Sequence, residues 1–119
     1  MTGLLDTNVA LYILGGKLAT PLTAGIYGIS VITEMELLSY PELNPAEENN
    51  VRRFIASLTI CDLTPAIRLR AIALRRSERL KLPDAIICAT ALEQGVELWT
   101  NDSRLATVNV LRCRSVRLK

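Results

Sequence analysis

The chain has 119 residues, half of them hydrophobic, a formal net charge of +2 and no histidine. That size predicts one domain, residues 1–119, with a real core, and so weak a net charge names no partner. The missing histidine excludes Ser-His-Asp and Cys-His nucleophiles and leaves carboxylates, hydroxyls, lysines and arginines for any chemistry.

Residues 3–6 read as a short buried strand, and Asp6 to Leu14 as a helix closed by the Gly15-Gly16 pair. Residues 17–25 form a connector with Pro21 and room for one helical turn. A second strand follows at 26–31, then a short helix in "TEMELLSY" that stops before Pro41. Pro45 and two glutamates open the next helix, where Val51, Phe54, Ile55 and Leu58 recur at helical spacing. "TICDL" is a third strand, and a helix runs from Thr64 to about Arg79 with arginines along one side. "LKLPDAIICATALEQG" is a further helix with Pro83 in its first turn and Gly95 as its stop. "VELWT" is a fourth strand, Ser103–Ala106 a brief helical turn, and "VLRCRSVRL" a weak fifth strand. Alternating strands and helices predict a three-layer α/β/α sandwich around a parallel sheet of four to five strands.

In such a sheet ligands bind beyond the carboxyl ends of the strands, where the strand order reverses. Asp6 ends the first strand, Glu34 and Glu36 follow the second, and Asp102 ends the fourth. Asp84 opens the helix before the fourth strand and joins the others if that helix start points the same way. Converging carboxylates repel one another, and a hard divalent cation, Mg²⁺ or Mn²⁺, relieves the repulsion through oxygen ligands. Without histidine or a usable cysteine set, zinc is disfavoured. The plainer reading is capping. Each acid lies near a predicted helix start, where the helix dipole favours it by roughly 0.3–1 kcal/mol. Thr33-Glu34-Met35-Glu36 even fits the S/T-x-x-E capping box.

Cys61, Cys88 and Cys113 are odd in number and lie in apolar contexts, as buried small side chains rather than a disulfide frame. No apolar run reaches the roughly 18–20 residues of a membrane helix, and no signal-peptide pattern opens the chain, so a cytoplasmic protein without membrane contact is expected. Trp99 reads as a core residue. Arg68, Arg70, Arg75, Arg76, Arg79 and Lys81 crowd one segment, where they either track a nucleic-acid backbone or line a solvated helix face. Aromatic content is only 4%, which leaves little for base stacking and points to recognition by shape and phosphate contacts.

"LLDTNVALYIL", "ISVITEMELLSYP" and "LKLPDAIICATALEQGVELWTND" together resemble the motifs of the PIN-domain ribonucleases, with the toxins of VapC-type toxin–antitoxin pairs nearest in look. The likeness runs from residue 3 to about 105, and the block from Leu82 to Asp102 is its most specific part. It implies a Mg²⁺- or Mn²⁺-dependent endoribonuclease whose catalytic and metal-binding acids are Asp6, Glu36, Asp84 and Asp102. Glu36 is preferred over Glu34 because it stands in the family's "ELL" context. Thr7, Asn8, Thr33 and Thr100 match supporting polar positions. The resemblance further implies 5′-phosphate products, an RNA substrate, a cognate antitoxin and a homodimer. The departures are a short loop between the first two strands and the low positive charge.

Three other classes remain open. A haloacid-dehalogenase-like phosphatase needs a second Asp two residues after the first, and Asn8 stands there. A receiver-like phosphorylation domain needs a Lys after its last strand, and the tail supplies no clear candidate. A catalytically silent interaction domain would not need four intact acids.

Overall fold

The computed structural model describes residues 1–119. Gly3–Leu5 form strand β1, and every one of these residues is buried. Strands β2 (Tyr27–Ser30), β3 (Thr59–Cys61), β4 (Glu97–Trp99) and β5 (Cys113–Arg114) complete a sheet of order β3-β2-β1-β4-β5. All pairings are parallel, with Leu4 opposite Gly28 on one side and Leu98 on the other. β1 is therefore central. The chain builds outward from it to β3, then returns across it to β4. That reversal makes the carboxyl ends of β1 and β4 the switch point of the sheet, where ligands bind in folds of this kind.

The helices are α1 (Thr7–Leu14), α2 (Val31–Leu38), α3 (Pro45–Ala56), α4 (Pro65–Glu78), α5 (Leu82–Gln94) and α6 (Ser103–Ala106). Successive strand residues face opposite layers. Leu4 and Leu98 join a core with Ile67, Ala71 and the α5 residues Ala85 to Ala89. Leu5 and Trp99 join the other, with Val9, Ile29, Leu37, Val51 and Ile55. The result is the expected three-layer α/β/α sandwich with five strands. α5 carries seven consecutive buried residues, Ala85 to Ala91, so it is walled in on nearly all sides. Thr90 is tolerated there because its hydroxyl donates to the Ile86 carbonyl at 2.7 Å.

Trp99 is buried, as expected, edge-on to Tyr27 with ring centroids 5.7 Å apart. The Arg114 guanidinium lies 4.8 Å from the centre of its ring. Glycine at position 3 makes room for the indole, since a Cβ there would sit 2.5 Å from Trp99 Nε1. All three cysteines are free thiols, and burial pushes the Cys88 thiol up to about 12, which leaves it inert as a nucleophile.

Several local expectations are corrected. The connector after α1 forms no helical turn; Leu18 instead bridges Leu118 in the tail. The fifth strand shrinks from nine expected residues to the pair Cys113–Arg114, because residues 115–118 turn away to cover that connector. No helix is long and apolar enough to cross a membrane.

Candidate acidic site

Asp6 stands one residue beyond β1, 5% exposed. Its backbone is extended, so it ends the strand and caps α1, and its Oδ1 accepts the Val9 N–H at 2.7 Å. Burial lifts its carboxyl above the ordinary 3.8. The Thr100 hydroxyl and the Val9 N–H oppose that rise, while the charges of Asp102 and Asp84 add to it. Capping is thus real at Asp6, but a cap alone does not require burial.

Asp84 sits in the first turn of α5, behind the N-cap residue Lys81, whose side chain makes no cap hydrogen bond. Pro83 fits that turn because the first helical N–H groups have no partner to lose. Desolvation raises the Asp84 carboxyl; Arg104 pulls it down, and Asp102 and Glu36 push it up. Asp6, Glu36, Asp84 and Asp102 therefore share one electrostatic neighbourhood, assembled from β1, α2, α5 and the end of β4.

Glu36 reaches that neighbourhood from the middle of α2. The capping-box reading of Thr33 and Glu36 is overturned: Ser30 caps α2, accepting the Ile32 N–H at 3.1 Å, and Thr33 is fully buried inside the helix. Helix α2 is capped three residues earlier than the motif suggests because Ser30, the last residue of β2, supplies the oxygen. The Thr7 hydroxyl donates to Glu36 Oε1 at 2.7 Å and stands 3.0 Å from the Thr33 hydroxyl. Thr100 accepts the Asp102 N–H at 3.0 Å. Thr7, Thr33 and Thr100 thus touch the acids or one another, whereas Asn8 is exposed and no hydrogen bond ties its side chain to them.

Asp102 caps α6, and Arg104 takes both of its oxygens. The Arg104 backbone N–H and Nε reach Oδ1 at 2.9 and 3.2 Å, and Nη2 reaches Oδ2 at 2.7 Å. This fork holds the Asp102 carboxyl below its usual range. The same Nη2 is 3.6 Å from Asp84 Oδ2. As the side chains stand, no three acids are close enough to enclose one ion. The donor set itself is all oxygen, and a guanidinium already lodges between two of its members as a stand-in cation. Chemistry and charge both fit a hard divalent ion, with both Asp102 oxygens engaged by Arg104.

Two residues of this site have no role in the sequence-based expectation. Arg104 stands two positions after a helix-capping Asp, and that spacing was its available signal. Asn101 pairs reciprocally with Val116, accepting its N–H at 2.7 Å and donating to its carbonyl at 3.0 Å. Its partner lies 15 residues away in the tail, so no local pattern reveals the pair.

The basic segment lies on α4 and just past it: Arg68, Arg75 and Arg76 on the helix and Arg79 at its C-cap are exposed, and Arg70 pairs with Glu93 at 2.6 Å. Apart from the acids, α1, α2 and α3 enclose an apolar groove of about 380 Å³ lined by Leu11, Leu14, Leu37, Tyr40, Leu43 and Val51.

The family profile described as PIN domain matches residues 3–111. One chain of a toxin–antitoxin complex from Klebsiella pneumoniae is 30% identical and superposes with a TM-score of 0.80, over 92% of this chain and 93% of that one. A chain of VapBC2 from Rickettsia felis, bound to a DNA fragment from their promoter, gives a TM-score of 0.82 at 19% identity, over 98% and 99%. A chain of DNA-bound VapBC from Salmonella typhimurium gives 0.80 at 23% identity, over 97% and 98%. At these lower identities the likeness is one of fold. No curated protein matches the sequence.

Proposed function

Because this chain belongs to the PIN-domain family, a family of nucleases, we propose that it is a Mg²⁺- or Mn²⁺-dependent endoribonuclease and the toxin of a toxin–antitoxin pair. The observation that carries the reading is the convergence of Asp6, Glu36, Asp84 and Asp102 from four separate elements on the switch point where the strand order reverses.

Asp6, Asp84 and Asp102 would hold the cation, with Glu36 as a further ligand or through water. When bound, the ion would activate water and neutralise charge growing on the phosphate. Asp6 contributes a fixed charge: its capping bond to Val9 and its burial leave it one orientation. Thr7 holds Glu36 across from it, so α1 and α2 present their acids together. Thr100 fixes the backbone from which Asp102 projects. A free carboxylate of the cluster accepts the proton of the attacking water, and no imidazole is needed. The exposed arginines of α4 offer an RNA backbone sequence-independent phosphate contacts.

That the Klebsiella relative belongs to a toxin–antitoxin complex supports a cognate antitoxin here, and the apolar groove of α1, α2 and α3 suits an amphipathic segment of such a partner. A homodimer working in the cytoplasm completes the reading. Asn8 in place of a second Asp still speaks against a dehalogenase-like phosphatase.

The test is cleavage of RNA by the purified chain with Mg²⁺ or Mn²⁺ and with EDTA. The expected result is cleavage only with the ion, leaving 5′-phosphate ends. Full activity in EDTA would overturn the mechanism.

A further inference from the structure

We propose that Arg104 and a divalent cation exclude one another at Asp102, so that the chain carries its own displaceable plug for the acidic site. The proposal rests on the reading of the acids as a cation site and adds its occupant in the resting state.

The Arg104 guanidinium has the position of a competitor. It engages both Asp102 oxygens in a fork, and its Nη2 extends to within 3.6 Å of Asp84. Both carboxylates are therefore drawn toward one positive group. While the guanidinium holds both Asp102 oxygens, neither is free for an ion.

The arrangement is also built to let go. Asp102 is the N-cap of α6 and Arg104 its second residue, so the backbone bond at 2.9 Å fixes where the arginine starts. The side chain is 61% exposed, and its only carboxylate partners are Asp102 and Asp84. Even a forked pair is opposed by water when the guanidinium is this exposed, and the second contact, to Asp84, is long at 3.6 Å. A divalent ion brings twice the charge and binds carboxylate oxygens directly, so it wins the competition. Lys81 is the other cation felt by Asp84, and it makes no ion pair with that carboxylate. Arg104 is thus the group that must move. The four-residue helix keeps the released guanidinium beside the site.

The experiment titrates Mn²⁺ alone, with no RNA, into the purified full chain by calorimetry, for wild type, Arg104→Ala, Arg104→Lys and Asp84→Asn. Arg104→Ala is expected to bind Mn²⁺ at least threefold more tightly than wild type. Arg104→Lys, a point charge without the fork, should fall between the two. In parallel, the Arg104 Nε–H resonance of ¹⁵N-labelled wild type, assigned by its loss in Arg104→Ala, should move on titration with diamagnetic Mg²⁺, with the binding midpoint. Thermal melts in EDTA check that the variants fold, as substitution of an exposed side chain predicts. Equal or weaker Mn²⁺ binding by Arg104→Ala, or an unmoved resonance at saturating Mg²⁺, overturns the plug while leaving the cation site intact. Wild type that binds no Mn²⁺, or Asp84→Asn that binds it as well as wild type, overturns the cation site and the plug with it.

Discussion

The Thr7 hydroxyl donates to Glu36 Oε1 at 2.7 Å, and this one bond joins the start of α1 to the second turn of α2 across 29 residues of sequence. Thr7 follows Asp6 directly, so the residue that caps the first helix and the residue that orients Glu36 are neighbours in the chain. A hydrogen bond to a charged acceptor contributes about 1.5–3 kcal/mol. Thr7→Val keeps the shape and removes the donor. RNA cleavage should fall about tenfold, corresponding to roughly 1.4 kcal/mol of barrier, with the ion affinity nearly unchanged. Cleavage assays at saturating Mg²⁺ check it, and unchanged activity would show that Glu36 needs no such support.

Glu34 and Glu36 separate the two readings of α2. Glu34 lies in the first turn, where an acid complements the helix dipole. Glu36 lies beyond that turn and inside the acidic neighbourhood. Glu36→Gln should lose most cleavage, and Glu34→Gln should keep most of it. The opposite pattern would place the catalytic acid two residues upstream.

Asp6 makes the acid range informative. Its folded carboxyl is raised above 3.8, chiefly by burial, so its charged form weakens the fold at higher pH. That penalty is fully present above the raised value, fades as pH falls through it, and is gone below about 3.8. Asp6→Asn keeps an oxygen for the Val9 cap. The variant should melt higher than wild type at pH 7, by a few degrees on a scale of about 4–8 °C per kcal/mol, and the gap should close as pH falls into the acid range. A variant that melts lower at pH 7 would mean that the Asp6 charge stabilises the fold.

Metal linkage tests the cluster as a whole. In EDTA, Asp84→Asn relieves repulsion from Asp102 and Glu36 but leaves Arg104 with one partner fewer, so its melt should match wild type within a degree or two. In millimolar Mg²⁺ wild type should gain stability by binding to the folded state alone, and Asp84→Asn should gain little. Thermal scans of both proteins in both conditions decide it; a wild-type melt indifferent to Mg²⁺ removes the shared site.

Asn101 ties the tail to the loop that carries Asp102. Asn101→Ala strips two backbone partners from Val116. Because these groups are near solvent, the stability loss should be only about 1–2 kcal/mol. Hydrogen exchange at residues 115–119 should rise, and cleavage should drop through misplacement of Asp102. Unchanged exchange in the tail would show that the sheet edge alone holds it.

Periodicity and punctuation in the sequence determined the order of elements, the parallel sheet and the strand end at Asp6; Asp102, expected at the end of the fourth strand, lies three residues past Trp99 and caps α6. These are local properties: apolar runs of three to five residues, prolines in first turns and glycines after last ones leave few alternatives. The family motifs added Glu36 over Glu34, a choice that spacing alone does not make. Only the tertiary structure decided how the acids relate. Thr33 and Glu36 look like a capping box until Ser30, the last residue of β2, takes the cap and leaves Glu36 to Thr7. Arg104 looks like a surface arginine until its guanidinium is found on Asp102 and Asp84 at once. Asn101 finds Val116 across 15 residues, and the tail leaves the sheet after two strand residues to meet the connector. The Ser30 cap and the Arg104–Asp102 pair are local, but the contacts of Glu36 with Thr7, Arg104 with Asp84 and Asn101 with Val116 join elements far apart in the chain, and no short window of sequence contains both partners.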